Sequence, residues 1–361
     1  MKAMILKEFR QMRRDHRTVA LMIGLPIMLL IVFGYAASFD VTDVTTAVVG
    51  TDATTVADGL PPIYDVTEVD PAGTRDDAET LLRNADAGAA FVLGDGGEVL
   101  LIDGSEIFEA QSVLRNVPPG VRPEVLFNPD LATSAVMVPS LIGMILLFVG
   151  TVITSLGVVR EREQGTLEQL AVMPLRPVDV TIGKIAPYFL VAMLDMAIVT
   201  LAGILLFDVP FNGSFPMFVA FGLVFLFVVL GFGVAISTVS QSQGEAVQLA
   251  MMVLLPQIML SGMIFPLDAM APGVRWIGYL LPLTWFVQGM RGVFLRGSDV
   301  SALLVPLGIL VVMAVVVFGI AVTRFRRDLA PKQPTDDTDG ADDGADLGGD
   351  ADLAESSGAP S

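Results

Sequence analysis

Six apolar segments, each about 20 residues long, restrict this chain to a fold that lives in a lipid bilayer. They lie at 18–37 and near 134–158, 186–207, 216–239, 247–266 and 301–323. At about 1.5 Å of rise per residue each can cross a hydrocarbon layer of about 30 Å. No water is present there to satisfy a bare backbone, so each is expected to be a helix. Composition agrees: 53% of residues are apolar and 17% charged, against about 25% charged in soluble domains. The fold expected is an all-α polytopic membrane protein with six transmembrane helices, an N-terminal interfacial helix and a small extracellular α/β insert.

The interfacial helix covers residues 1–17. Met1, Met4, Ile5, Phe9 and Met12 recur at helical spacing, and Lys2, Lys7, Arg10, Arg13, Arg14 and Arg17 surround them, a pattern that lies on an anionic membrane surface. Ala36-Ala37-Ser38 resembles a signal-peptide cleavage site, but the apolar stretch before it exceeds the usual 7–15 residues, so 18–37 is expected to remain as the first span.

Residues 38–133 form the insert. VTTAVVG (44–50), AAFVLG (89–94) and EVLLIDGS (98–105) are expected as strands, and 76–85 and 106–115 as helices. Residues 134–327 form the rest of the bundle. Within it, 159–184 is a basic connecting loop in which Glu161 to Leu170 are expected to form a separate charged helix ended by Pro174 and Pro177, and 267–300 is an apolar stretch broken by Pro272, Gly273, Gly278, Pro282 and Gly289. That stretch is expected to be re-entrant, since broken backbone at membrane depth must be satisfied by protein or water. Residues 328–361 form an Asp-, Gly- and Ala-rich tail expected to be disordered.

Basic residues set the orientation. The first 17 residues, Arg160, Arg162, Arg176 and Lys184, and Arg324, Arg326 and Arg327 all fall on one side of a six-span chain. That side is expected to be the cytoplasm, with both termini there and the insert outside. Arg275, Arg291 and Arg296 then lie on the wrong side, a tension that burial or snorkelling would relieve. Residues 40–133 carry a net charge of −14 and residues 331–361 a net −8. Acidity on both sides, with 4 lysines against 17 arginines, points to a salt-adapted, halophilic surface; the rival reading is an acidic disordered tail beside an incidentally acidic domain.

The absence of cysteine and the single histidine, His16, exclude disulfides, thiolate metal sites and histidine triads. The 18 methionines are better read as flexible apolar packing than as copper ligands. Asp195 lies inside an apolar span, where a carboxylate costs about 2.5–3.5 kcal/mol, so it is either part of a transport path or an interhelical hydrogen-bond partner. Asn212-Gly213-Ser214 matches a glycosylation acceptor. Trp276, Trp285 and Tyr279 are expected to anchor the re-entrant segment at the interface.

Two stretches carry a resemblance. In 159–188, Glu161, Arg162, Glu163, Gly165, Thr166, Leu167, Glu168, Pro174, Leu175, Gly183 and Lys184 match the cytoplasmic loop of type 2 ABC transporter permeases. In 261–297, Ser261, Gly262, Phe265, Pro266, Leu267, Met270, Pro272, Pro282, Leu283, Thr284, Arg291 and Gly292 match that family's second signature. The resemblance covers about 1–327 and stops at the acidic tail. It implies a permease subunit that exports hydrophobic or amphipathic molecules and works with a second permease subunit, identical or paralogous, within membrane lipid. It also implies a cytoplasmic ABC ATPase subunit docking on 161–173. ATP and Mg would bind that partner and not this chain, which lacks G-x-x-x-x-G-K-[ST]; no nucleic-acid partner is expected. The alternatives are an ion-coupled secondary transporter, which would need several intramembrane ionisable groups, and a membrane hydrolase, for which no motif is present.

Overall fold

The computed structural model describes residues 41–94, 97–164 and 177–329, with scattered positions between 20 and 34. The expected helix at 1–17, most of the span at 18–37, loop residues 165–176 (with Gly165, Thr166, Leu167, Glu168 and Pro174) and the tail from 330 lie outside the described residues.

The insert is built from β1 (Val44–Gly50), α1 (Ala53–Ala57), β2 (Tyr64–Asp70), α2 (Arg75–Asn84), β3 (Ala89–Gly94), β4 (Gly97–Asp103), α3 (Ile107–Arg115) and β5 (Arg122–Leu126). The strands form one mixed sheet in the order β2-β1-β3-β4-β5. β1 runs parallel to β2 and β3, β4 returns antiparallel to β3, and β5 is parallel to β4. Alternation along the strands gives the sheet two apolar faces. Val48, Phe91, Leu100 and Ile102 pack with Ala110 and Val113 of α3. Ala47, Val49, Ala90 and Leu101 pack with Ala78 and Leu82 of α2. Thr74 starts α2 with a capping box: its hydroxyl accepts from the Asp77 amide, and the Asp77 carboxylate accepts from the Thr74 amide.

Beyond the insert the chain is helical: α4 (Thr133–Glu163), α5 (Pro177–Phe207), α6 (Phe215–Val239), α7 (Gln243–Leu260), a 3-10 turn (Leu267–Ala269), α8 (Pro272–Tyr279), α9 (Pro282–Arg291), a π-helical turn (Gly292–Arg296) and α10 (Val300–Leu329). Four stretches are long and apolar enough to cross a membrane: Thr133–Glu163, Ala186–Phe207, Phe215–Val239 and Val300–Ala321. The expectation of an all-α, six-span protein therefore needs correction. A mixed five-stranded sheet is part of the fold, and four helices rather than six qualify as spans among the described residues. The expected span at 247–266 falls on α7, which is only 18 residues long and carries Gln243, Glu245, Gln248 and Gln257.

α4 and α6 form the centre of the bundle, with 56% and 61% of their spans buried, against 22% for α5 and 11% for α10. The outer pair turns Leu190, Leu194, Leu201, Val305, Val312 and Val315 outward, a surface suited to lipid tails or another apolar chain. α9 enters the core between α4 and α6. The Phe286 ring stacks on Phe225 at 4.3 Å between centroids. Gly289 allows this approach, since a Cβ there would stand 2.3 Å from the Phe221 ring.

The stretch expected to be re-entrant, 267–300, comprises the 3-10 turn, α8, α9 and the π-helical turn. Pro272 and Pro282 sit in the first turns of their helices, where a missing N–H removes no hydrogen bond. The junction between α8 and α9 satisfies its own backbone: the Thr284 hydroxyl donates to the Gly278 carbonyl at 2.6 Å, and the Trp285 indole to the Tyr279 carbonyl at 2.8 Å.

Candidate functional site

Two regions gather the polar groups that this bundle cannot leave bare. The first is the seam where the insert meets α7–α10. Arg291 closes α9 and Arg296 closes the π-helical turn; both side chains are buried, at 6% and 7% exposure. Arg291 Nη1 donates to Glu106 Oε1 at 2.5 Å, and its Nη2 to the Gly262 carbonyl at 3.1 Å. Arg296 Nη1 donates to Ser105 Oγ at 3.2 Å and Asp103 Oδ2 at 3.4 Å. Two further links join α2 to the start of α10. Ser298 Oγ donates to the Arg83 carbonyl at 2.5 Å, and the Asp299 amide to Asn84 Oδ1 at 3.1 Å. Asp268 in the 3-10 turn pairs with Arg275 of α8.

These pairs resolve the charge conflict posed by the sequence. Arg275, Arg291 and Arg296 each find a carboxylate, two of them on the insert itself. A buried guanidinium without such a partner would be strongly destabilising. Burial pushes the Glu106 carboxyl up, against the opposing pull of Arg291 and Arg296. Burial pushes Glu109 well up, and the charges of Glu106 and Asp268 add to it. A cavity of about 440 Å³ opens at the seam beside Asn84, Glu106, Glu109, Asp268, Trp285 and Arg291.

The structure brings two of the sequence-identified residues, Gly262 and Arg291, into direct contact. Gly262 follows α7 with φ of 80°, a left-handed conformation that glycine adopts without penalty, and this turn presents its carbonyl to Arg291. Pro266 precedes the 3-10 turn and Pro282 opens α9, so both shape the backbone that carries the arginine. Asp103, Glu106, Glu109, Asp268 and Arg296 were not singled out from the sequence as site residues. The available signal was an acidic insert opposite arginines stranded on its own side.

The second region lies at the other end of α4. Glu161, Arg162 and Glu163, expected to open a separate helix, instead complete the last turn of α4. Arg162 Nη1 donates to the Ser240 carbonyl at 2.9 Å. Glu163 accepts from the Gln243 amide at 3.0 Å and from its side chain at 2.6 Å. Ser242 caps α7 by accepting from the Glu245 amide at 3.2 Å. The end of α4 is thus clamped to the turn between α6 and α7. Asp195 belongs to neither region. It lies half-buried on α5, and its Oδ2 is buried with no hydrogen-bond partner among the described residues.

Comparison with known proteins gives one consistent picture. Residues 16–323 match the family described as ABC-2 family transporter protein. The probable multidrug ABC transporter permease YbhS of Escherichia coli (strain K12) is 28% identical over 372 residues, covering 91% of this chain and 97% of the relative. YbhR of the same organism, also named a probable multidrug ABC transporter permease, is 33% identical over 56% of this chain and 55% of its own length. ABC transporter G family member 20 of Dictyostelium discoideum is 27% identical over 55% of this chain and 27% of its own length.

Proposed function

Because this chain belongs to the ABC-2 family of transporter proteins, as the membrane-spanning permease subunit of an ABC exporter, we propose that it moves a hydrophobic or amphipathic substrate outward using ATP hydrolysed on a separate chain. The ATPase partner, with its ATP and Mg, docks on 161–173 from the cytoplasm. Both termini of the permease lie on that side, and the insert lies outside. A second permease subunit, identical or paralogous, completes the transporter against the apolar faces of α5 or α10. The sequence supports this division of labour, since it holds no phosphate-cradling P-loop.

The observation that carries the reading is the clamp at the end of α4. A push delivered at Glu161–Glu163 reaches α6 and α7 through Arg162–Ser240 and Glu163–Gln243, and α4 itself extends from there to the insert. Reversing both charges, Glu161→Arg with Glu163→Arg, is expected to leave a complex with the ATPase that still hydrolyses ATP. Transport per ATP should fall several-fold in proteoliposomes; an unchanged ratio would remove the docking role.

Asp195 is our candidate for the substrate path. Its Oδ2 lies buried in an apolar span with no hydrogen-bond partner among the described residues, where a carboxylate is costly. In the same vesicles, Asp195→Asn is expected to change which compounds stimulate ATP hydrolysis while leaving the coupling ratio intact. An identical compound profile would return Asp195 to a packing role.

A further inference from the structure

We propose that the seam between the insert and the α7–α10 segment binds one exchangeable proton, on Glu109 beside Asp268, and that this proton holds the insert closed on the bundle.

The charges that face the seam come from every element around it. The insert supplies Asp86 before β3, Asp103 at the end of β4, Glu106 in the following turn and Glu109 in α3. The bundle supplies Asp268 in the 3-10 turn, Arg275 and Tyr279 on α8, Arg291 on α9 and Arg296 on the π-helical turn. Three arginines serve three carboxylates: Arg291 with Glu106, Arg296 with Asp103, and Arg275 with Asp268. Glu109 remains, half-buried, with no cation of its own among the described residues. Its carboxyl instead lines the cavity together with that of Asp268. Two ionised carboxylates lining one half-closed cavity repel each other, and Glu109, which has no arginine, is the one relieved by a proton.

The direction of the switch follows from linkage. Burial raises the Glu109 carboxyl well above its usual range when the seam is closed, with Glu106 and Asp268 reinforcing the effect. Opening the seam returns Glu109 to water and to its ordinary affinity. Closing therefore takes up a proton. Closure is fully favoured at low pH and is lost as pH rises through the raised value. Above it, an ionised Glu109 stands against Asp268 and Glu106 beside a cavity that water can enter. The links from Ser298 and Asp299 to α2 tie the insert to the head of α10. The proton therefore sets how firmly the insert follows that helix.

The chain contains two tryptophans, and Trp285 lines the cavity with Glu109 and Asp268. In the full chain carrying Trp276→Phe, held in lipid nanodiscs without substrate or ATPase, Trp285 reports on the seam alone. Its emission is expected to show one single-proton transition, centred above the ordinary carboxylate range. Amide exchange across α3, corrected for its intrinsic pH dependence, should accelerate on the alkaline side of the same transition. Adding Glu109→Gln, which mimics the protonated acid, should abolish both changes and keep the low-pH emission at every pH. A parent without a transition overturns the proposal, as does a transition that survives unchanged in Glu109→Gln. Neither result bears on whether the chain is an exporter.

Discussion

Replacing Arg291 with methionine is expected to remove about 3 kcal/mol of stability or more, because it deletes one member of a buried ion pair and leaves the other. Glu106 would keep a carboxylate with 27% of its side chain exposed, and the Gly262 carbonyl would lose its donor. The loss should appear as a lower unfolding temperature for the purified chain and as failure of transport in vesicles. It should be smaller at low pH, where Glu106 can shed its charge by protonation. Arg291→Lys should fall in between: an ammonium offers one compact charge, whereas the guanidinium fork reaches Glu106 and Gly262 together. The informative variant is the double one. Arg291→Met with Glu106→Leu replaces the pair by apolar groups, a change that is often neutral in buried sites, and should recover most of the lost stability. If the single variant unfolds at the parental temperature, the pair is not what holds the insert to α9.

That pair also marks where the sequence stops being readable. Gly262 and Arg291 stand in a recognisable stretch, and their hydrogen bond closes within it. Glu106 lies 185 residues from Arg291, and Asp103 lies 193 from Arg296. No periodicity or spacing connects positions so far apart; only an imbalance of charge pointed to them. The same limit applies within the sheet. β1, β3 and β4 occupy the apolar stretches 44–50, 89–94 and 98–105 because they are central strands, buried on both faces. β2 reads YDVTEVD and β5 reads RPEVL. They are edge strands, and charges and proline are tolerated at an edge. Their composition resembles a loop until a neighbouring strand supplies the hydrogen bonds. α7 misled in the opposite direction: its apolar residues imply a span, yet four polar side chains on 18 residues keep it below that standard. At the far end of α4, the run of charges after the span resembles the start of a new helix. Helix capping residues are absent before Glu161, however, and α4 simply continues to Glu163.

Gly50→Ala is expected to unseat the insert from a different direction, through backbone geometry and not through charge. Gly50 ends β1 opposite Leu93 of β3, with φ of 104°, a conformation that strains other residues by about 1–3 kcal/mol. A methyl group there would also lie 2.0 Å from the Leu93 carbonyl oxygen and 2.9 Å from its carbon. Those are backbone atoms of the neighbouring strand, so no rotamer change relieves the clash and the parallel pairing must shift. Strain and overpacking together should exceed about 3 kcal/mol. Gly50→Asn should fare little better: asparagine tolerates positive φ more readily, but its Cβ meets the same oxygen. Limited proteolysis should cut the variant within 41–132 at every pH, whereas Arg291→Met should be most sensitive where Glu106 is ionised. Adding Arg291→Met with Glu106→Leu to Gly50→Ala should not restore protection, because a repaired seam cannot hold a sheet whose first pairing is lost. If Gly50→Ala resists protease as the parent does, β1 and β3 do not approach as closely as the glycine implies. The seam would then have to be rebuilt on a different register, because Asp103, Glu106 and Glu109 reach the bundle only through the strands that β1 and β3 hold in place.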